Sequence, residues 1–242
     1  MIDQILQNRF FVAGLTLGLS IHLRIYPVIF VFSIFLYILR RKQKNAFLPL
    51  FKFFAAVSIS FVSLFILCYN LYQNDFFENS YLYHLKRIDL KHNFSIYFYY
   101  FYLFSQNSSN FVKILKFVPF IVQTALIFAI SLKFYANLFQ SLFFLSFCFV
   151  TFNKVYTAQY LSWYYCLMPL AINRMTITEM ICIVGLSTVA QVNWIYWSEM
   201  LEGQGEQVFL QLFFGCVLMF LANLAILVYS ICHFKDGKVK ID

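Results

Sequence analysis

Long apolar runs are the feature that most restricts how this chain can fold. A helix needs about 20 mainly apolar residues to cross a bilayer, and about seven stretches of the 242-residue sequence approach or reach that length. The predicted spans are residues 10–39, 48–72, 111–132, 135–152, 155–172, 180–198 and 207–233. Charged residues make up only 12% of the chain, against roughly 25% in soluble domains. The sequence therefore predicts an all-α, polytopic membrane protein.

The first apolar run contains a break. Pro27 lacks a backbone donor and disfavours helix at Tyr26, and two full spans would need about 40 residues, which is more than this run provides. Irregular backbone at membrane depth persists only where protein or a wet cavity surrounds it. We expect one broken or re-entrant helix between residues 10 and 39.

The basic residues predict an orientation in the membrane. The net charge is +8, from 18 basic and 10 acidic residues, and two basic clusters lie at 40–44 and 235–240. By the positive-inside rule both clusters are cytosolic, and alternation then places residues 73–96 and 199–206 on the lumenal side. Nucleic-acid binding is not expected, because the sequence shows no zinc-finger spacing, RNA-binding motif or basic helix.

Three polar groups could carry chemistry, and the first lies within a span. His22, Arg24 and Tyr26 precede the break at Pro27, and ionisable residues inside a span are functional candidates by default. The guanidinium of Arg24 is suited to phosphate. The alternative is an arginine that extends to the membrane interface.

The second group is a basic loop in the segment assigned to the lumen. His84, Arg87, Lys91 and His92 carry charge against the usual topological bias, which favours the binding of an anion. The interleaved cations would repel a metal ion. The alternative is a solvated loop with ion pairs at helical spacing.

The third group lies in residues 151–164. If this stretch is helical, Asn153, Thr157 and Tyr160 share one face, and Gln159 and Trp163 lie on a neighbouring face. Amide, hydroxyl and aromatic groups together suit a sugar. The alternative is hydrogen bonding between helices of a bundle.

The sequence contains no Asp-x-Asp pair, nucleophilic triad, Walker loop or HExxH motif. It therefore assigns no catalytic residue and no metal site. Two glycosylation sequons begin at Asn93 and Asn107, in the segment assigned to the lumen.

Four stretches resemble the C-terminal half of the glycosylphosphatidylinositol (GPI) mannosyltransferase I family. They are His22–Pro27, Tyr83–Tyr99, Phe152–Tyr164 and Gln191–Gly205, and they run in family order over nearly the whole chain. The second and third are long and unusual enough to be specific. Ile96 stands where the family pattern has proline.

The resemblance implies a glycosyltransferase C-like helical bundle in the endoplasmic-reticulum membrane, with its active site facing the lumen. It implies dolichyl-phosphate-mannose as donor substrate, a glucosaminyl-phosphatidylinositol acceptor and a small stabilising membrane subunit; no further cofactor is assigned. The residues expected to bind the donor phosphate are His22, Arg24, Tyr26, His84, Arg87, Lys91 and His92. Those expected to bind the sugar or acceptor are Asn153, Lys154, Thr157, Gln159, Tyr160 and Trp163.

One part of the family pattern is missing. The family has an earlier membrane segment and a lumenal loop with an acidic Asp-x-Asp-type motif, which this sequence lacks. We therefore expect residues 1–242 to form a single transmembrane domain that is a fragment, inactive by itself. Two alternatives remain: a transporter or lipid-binding membrane protein, whose broken helices would look similar, and a non-catalytic remnant of the mannosyltransferase.

Overall fold

The structure is a computed structural model that describes residues 1–42, 45–83, 92–104, 117–171 and 175–233. All regular structure in these ranges is helical. The helices are α1 (Ile2–Leu6), α2 (Phe10–Leu23), α3 (Phe30–Lys42), α4 (Phe47–Phe77), α5 (Phe98–Leu103), α6 (Val118–Phe134), α7 (Leu138–Thr151), α8 (Leu161–Tyr165), α9 (Met168–Ala171), α10 (Ile177–Ser198) and α11 (Phe209–His233). This confirms the all-α prediction.

Several of these helices are apolar enough for a bilayer. In the described ranges, three are also long enough to cross one: Phe47–Leu82, Ile177–Gly203 and Phe209–His233, in which the first two extend α4 and α10 by one π-helical turn each. Shorter apolar helices are α2, α6 and α7. The chain is therefore a multi-pass membrane protein.

The break in the first apolar run is confirmed. Helix α2 ends at Leu23, Arg24 is extended with φ −150° and ψ 124°, and a short 3₁₀ helix occupies Tyr26–Ile29 before α3 begins. Pro27 lies in the first turn of the 3₁₀ helix, where its missing N–H costs no hydrogen bond. The proline thus ends one helix and starts the next.

The fifth predicted span differs from the prediction. Residues 155–172 form no continuous helix: residues 155–157 are irregular, and Ala158–Tyr160, α8 and α9 are each short. Pro169 cannot donate a backbone hydrogen bond to the turn before it, which limits helix growth here. The segment is therefore a series of short helices and irregular chain rather than one continuous helical span.

The chain packs as two units, which are Met1–Arg87 with Phe128–Leu142, and Ile88–Ile127 with Phe143–Asp242. The expected single transmembrane domain over 1–242 remains a prediction. In the first unit, Ser33 and Ser141 share a buried hydrogen bond. Arg41 donates to the carbonyl of Leu6, at 3.1 Å.

Helices α2 and α4 pack at unusually close range. A Cβ added to Gly14 would overlap the carbonyl oxygen of Phe53 and lie 2.8 Å from the Cβ of Ala56. A Cβ added to Gly18 would lie 2.5 Å from the carbonyl oxygen of Val57. The two glycines form a G-x-x-x-G pattern, which lets helix backbones approach in lipid, where helix association depends on van der Waals packing. The lack of a side chain at both positions thus sets the α2–α4 distance.

In the second unit, α10 and α11 pack side by side. Gly215 of α11 faces the backbone of Trp194, with 3.5 Å between an added Cβ and the Trp194 Cα. The start of α10 is fixed by a capping box, because Thr176 Oγ1 accepts from the Glu179 amide and the Glu179 carboxylate accepts from the Thr176 amide. Tyr229 of α11 also donates to this carboxylate. The capping box and the Tyr229 contact therefore fix the start of α10, and Gly215 lets α11 approach α10 closely.

Replacing Gly14 with alanine should loosen the α2–α4 contact. The new Cβ would collide with backbone, so we expect the free energy of unfolding to fall by about 1–3 kcal/mol. The matched control is Gly185→Ala in α10, where nothing lies within 4 Å of an added Cβ; it should stabilise the helix by roughly 0.5–1 kcal/mol. Unfolding of the purified protein in detergent measures both, and equal effects would contradict the role given to Gly14.

Candidate functional site

The first predicted group lies in the first unit, at the end of α2. Arg24 is exposed, and its amide donates to the carbonyl of Ser20 at 3.0 Å. The His22 ring is held on both sides: Nδ1 shares a hydrogen bond with the Tyr81 hydroxyl at 3.1 Å, and Nε2 lies 3.7 Å from Cys68 Sγ. Tyr26 packs edge-on against Phe30. Of the three, Arg24 is the side chain that presents a charge to its surroundings.

In the second unit the segment from His92 to Ser95 is anchored by Asn93. The Asn93 side-chain oxygen accepts from the amides of Ser95 and Tyr156, each at 2.9 Å. Its Nδ2 donates to the carbonyl of Lys154 at 3.2 Å. The Phe94 amide donates to the carbonyl of Tyr156 at 2.6 Å. One buried amide thereby joins two irregular segments that are far apart in the sequence.

These segments lie on side chains from α10 and α11. Phe94 packs against the rings of Tyr156 and Trp194. Trp194 Nε1 donates to Cys216 Sγ at 3.2 Å, and Cys216 Sγ lies 3.7 Å from the carbonyl of Asn93. The two long helices therefore provide an apolar surface for these segments, and the Cys216 thiol contacts the backbone carbonyl of Asn93.

Tyr156 connects the same region to α11. Asn223 Nδ2 donates to the Tyr156 hydroxyl at 3.2 Å. Tyr156 lies between α7 and the 3₁₀ turn Ala158–Tyr160 and is buried. Its hydroxyl therefore serves as a buried hydrogen-bond acceptor that joins this segment to α11.

His92 and Glu202 form the charged edge of this region. The His92 amide donates to Glu202 Oε1 at 2.8 Å, and the imidazole Nδ1 is in ion-pair contact with Glu202 Oε2. His92 has φ +50°, in the left-handed region that is uncommon for residues other than glycine. The contact requires both segments to lie on one side of the membrane, as alternation predicts; that this side is lumenal remains a prediction.

The predicted sugar-binding residues are only partly brought together. Tyr160 stacks on Trp163 with 4.2 Å between ring centroids, and Gln159 is exposed. The helical stripe over 151–164 is wrong, because α7 ends at Thr151 and residues 153–157 are irregular. Asn93 takes up the backbone groups of Lys154 and Tyr156 that a helix would have used.

Other predicted residues have different positions. Lys154 gives its carbonyl to Asn93, and the Asn153 side chain turns back toward the amide of Val155 at 3.5 Å. Within the described ranges, Thr157 Oγ1 is buried without a hydrogen-bond partner. His84, Arg87 and Lys91 lie outside the described residues.

Sequence reasoning missed several members of this region. Cys216 and Asn223 were hidden in the most apolar span, and Glu202 entered only through the resemblance, without a role. A polar side chain in an otherwise apolar span is a recognised sign of a functional or packing site, and Asn223 fits that description. Cys216 gave no such sign, since buried cysteine commonly acts as a small apolar residue.

The sequon at Asn93 is not available in the folded chain. Asn93 is 2% exposed, and its side-chain amide makes hydrogen bonds with three backbone groups. Asn107 lies outside the described residues. The Asn93-Phe94-Ser95 pattern is therefore a structural turn here rather than an accessible glycan acceptor.

Replacing Asn93 with alanine should destabilise the second unit more than loss of an ordinary polar side chain. Two buried amides would lose their acceptor, at about 1–3 kcal/mol for each unsatisfied group. The control is Asn79→Ala, which removes an exposed amide that donates to the Asp75 carbonyl. Thermal unfolding in detergent compares them, and a similar effect of both substitutions would show that Asn93 is no anchor.

Comparison with known proteins gives a consistent family. The model of the family described as Mannosyltransferase (PIG-M) matches residues 1–231. A GPI mannosyltransferase 1 of Dictyostelium discoideum is 33% identical over 94% of this chain and 58% of its own length. The corresponding figures for a GPI mannosyltransferase 1 of Kluyveromyces lactis are 36%, 84% and 53%.

A vertebrate relative agrees. The GPI alpha-1,4-mannosyltransferase I catalytic subunit of Danio rerio is 33% identical over 95% of this chain and 60% of its own length. The chain thus spans between 53% and 60% of the length of these three relatives. With a family match over nearly its whole length, the chain belongs to the mannosyltransferase (PIG-M) family.

Proposed function

We propose that this chain forms part of an enzyme that transfers the first mannose in GPI-anchor biosynthesis. The donor is dolichyl-phosphate-mannose, and the acceptor is glucosaminyl-phosphatidylinositol. The observation that carries the proposal is the convergence, within one unit, of three stretches that resemble the family: His92–Ser95, Lys154–Tyr156, and the pair Trp194 and Glu202. The names of the relatives support the same reaction.

Arg24 is proposed to bind the donor phosphate. It is exposed at a helix break and extended in its backbone, and a guanidinium offers phosphate a planar set of donors. His22 is not proposed to bind the phosphate directly, because Tyr81 and Cys68 already contact its two ring nitrogens. The hydroxyl of Tyr26, at the same helix break, is proposed to donate a hydrogen bond to the donor phosphate.

The stretch from Asn153 to Trp163 is proposed to meet the sugar or the acceptor. Gln159 exposes an amide, and Trp163 with Tyr160 presents stacked rings. Thr157 belongs to the same proposed set, although within the described ranges its hydroxyl is buried without a hydrogen-bond partner. A few placed polar groups beside aromatic surface are typical of small-ligand sites.

The setting of the proposed reaction follows from the family resemblance. We place the enzyme in the endoplasmic-reticulum membrane with its site facing the lumen, and with a small membrane subunit as partner. Exposed apolar side chains on α4, such as Phe47 and Phe51, offer a surface to lipid or to such a subunit.

A chimera tests the proposed reaction. The relative of Saccharomyces cerevisiae aligns with 95% of this chain over 60% of its own length, so the full 242-residue chain can replace the matching part of that protein. Microsomes from yeast that lack their own enzyme should then transfer labelled mannose from dolichyl-phosphate-mannose to glucosaminyl-phosphatidylinositol. A folded chimera that transfers no mannose would contradict the proposal and favour a non-catalytic role.

Arg24→Ala in this chimera should weaken donor use. Loss of a charge-assisted contact of about 1.5–3 kcal/mol corresponds to roughly a 10- to 100-fold increase in the KM for dolichyl-phosphate-mannose. Arg9→Ala removes another exposed arginine and should leave this KM unchanged. An unchanged donor KM in the Arg24 variant would remove Arg24 from the phosphate site.

A further inference from the structure

Helix α4 reverses its direction before it ends. Gln73 has φ +50° and ψ −135° inside the helix, and residues other than glycine rarely adopt a positive φ. In a straight helix Phe65 and Tyr81 would lie about 24 Å apart, yet their ring centroids are separated by 5.7 Å. Residues 74–82 (the return segment) therefore fold back along the earlier part of α4. Residues 47–72, before the reversal, are still long enough to cross a bilayer.

The return segment covers the end of α2. Helices α2 and α4 run in the same direction, because Gly14 and Gly18 contact successive turns of α4. One turn further along α2, the His22 ring lies 6.2 Å from the ring of Phe61, between centroids. Phe76 of the return segment lies 6.0 Å from the same imidazole. His22 is thus enclosed by aromatic side chains from both limbs of α4.

Two polar contacts fix the orientation of the His22 ring. The Tyr81 hydroxyl and His22 Nδ1 share a hydrogen bond at 3.1 Å, and Cys68 Sγ lies 3.7 Å from Nε2. A phenol can donate to Nδ1 of a neutral imidazole, whose Nε2–H then faces the sulfur atom. The partners lie 59 and 46 positions from His22 in the sequence. The end of α2 is therefore held by groups from α4 and its return segment.

The held end of α2 determines where Arg24 begins. Arg24 is the second residue after His22, and its amide donates to the carbonyl of Ser20 at 3.0 Å. Its backbone is extended and its side chain is exposed. A binding group contributes most when its position is fixed before the ligand arrives. A shift of the last turn of α2 would move the guanidinium away from that position.

We propose that Tyr81 is a positioning residue for the donor-phosphate site. Its hydrogen bond to His22 fixes the last turn of α2, and through this turn it sets the place from which Arg24 reaches the phosphate. The proposal rests on the proposed function, since it takes Arg24 as the phosphate ligand. It also gives His22 a role that differs from the direct phosphate contact expected from the sequence.

The chimera described above tests this role by the removal of one hydroxyl group. Tyr81→Phe keeps the ring that packs on Phe61 and Phe65 but removes the hydrogen bond to His22. The KM for dolichyl-phosphate-mannose should rise about 2- to 10-fold, which is the effect of one hydrogen bond, and kcat should not change. Tyr72→Phe is the matched control, because it removes an exposed hydroxyl from the same helix and should leave both constants unchanged.

A positioning role requires that Tyr81 act through Arg24. In the Arg24→Ala chimera, Tyr81→Phe should therefore cause no further rise in the donor KM, because coupled residues have non-additive effects. The same fold increase in both backgrounds would overturn the proposal. An unchanged donor KM in Tyr81→Phe alone would overturn it as well, and a lower unfolding midpoint in that variant would then assign the contact to the fold only.

Hydrogen exchange tests the same contact without any need for activity. Tyr81→Phe should speed amide exchange in peptides that cover residues 20–27, where the Arg24 amide donates to Ser20. Peptides from α11 should exchange as in the parent chimera. Unchanged exchange over residues 20–27 would show that Tyr81 does not hold the end of α2 and would overturn the proposal. Faster exchange there in a folded chimera whose parent transfers no mannose would instead overturn the proposed function, and the phosphate role of Arg24 with it.

Discussion

The side-chain amide of Asn93 is the interaction on which the second unit depends. Backbone groups removed from water must find partners within the protein, and this requirement is strictest in a membrane protein. Two irregular segments meet at Asn93, and its amide serves the Ser95, Lys154 and Tyr156 backbones together. Because these backbone groups have partners, two non-helical segments can pack on α10 and α11.

The first unit meets the membrane constraint in a different way. In lipid there is no hydrophobic driving force for helices to associate, so their association depends on close van der Waals packing. Gly14 and Gly18 provide it by bringing the backbones of α2 and α4 together. The same α2 ends one turn later in the break that presents Arg24. A closely packed helix pair thus leads into the irregular segment that exposes Arg24.

The sequence predicted those features whose causes are local. Pro27 acts on its own neighbours, so the break before α3 could be located from the residues alone. The helix expected across Asn153 and Thr157 was wrong, because the groups that end it come from Asn93, in a distant segment. The same reason explains why Glu202 and Cys216 received no role: the backbone groups of His92 and Asn93 that they contact are more than a hundred positions away. The G-x-x-x-G pattern at Gly14 and Gly18 is also local, so the close contact of α2 with another helix could have been predicted from the sequence.

The burial of Asn93 makes sugar attachment and folding mutually exclusive at one position. If the segment faces the lumen, the glycosylating enzyme meets the Asn93-Phe94-Ser95 sequon only before the amide has bound the Lys154 and Tyr156 backbones. A molecule that acquires a glycan there can no longer close this contact. A glycan at Asn93 would then be found on chains that entered the lumen but formed this contact too slowly. The fraction of chains glycosylated at Asn93 would report the rate of glycosylation relative to the rate of folding.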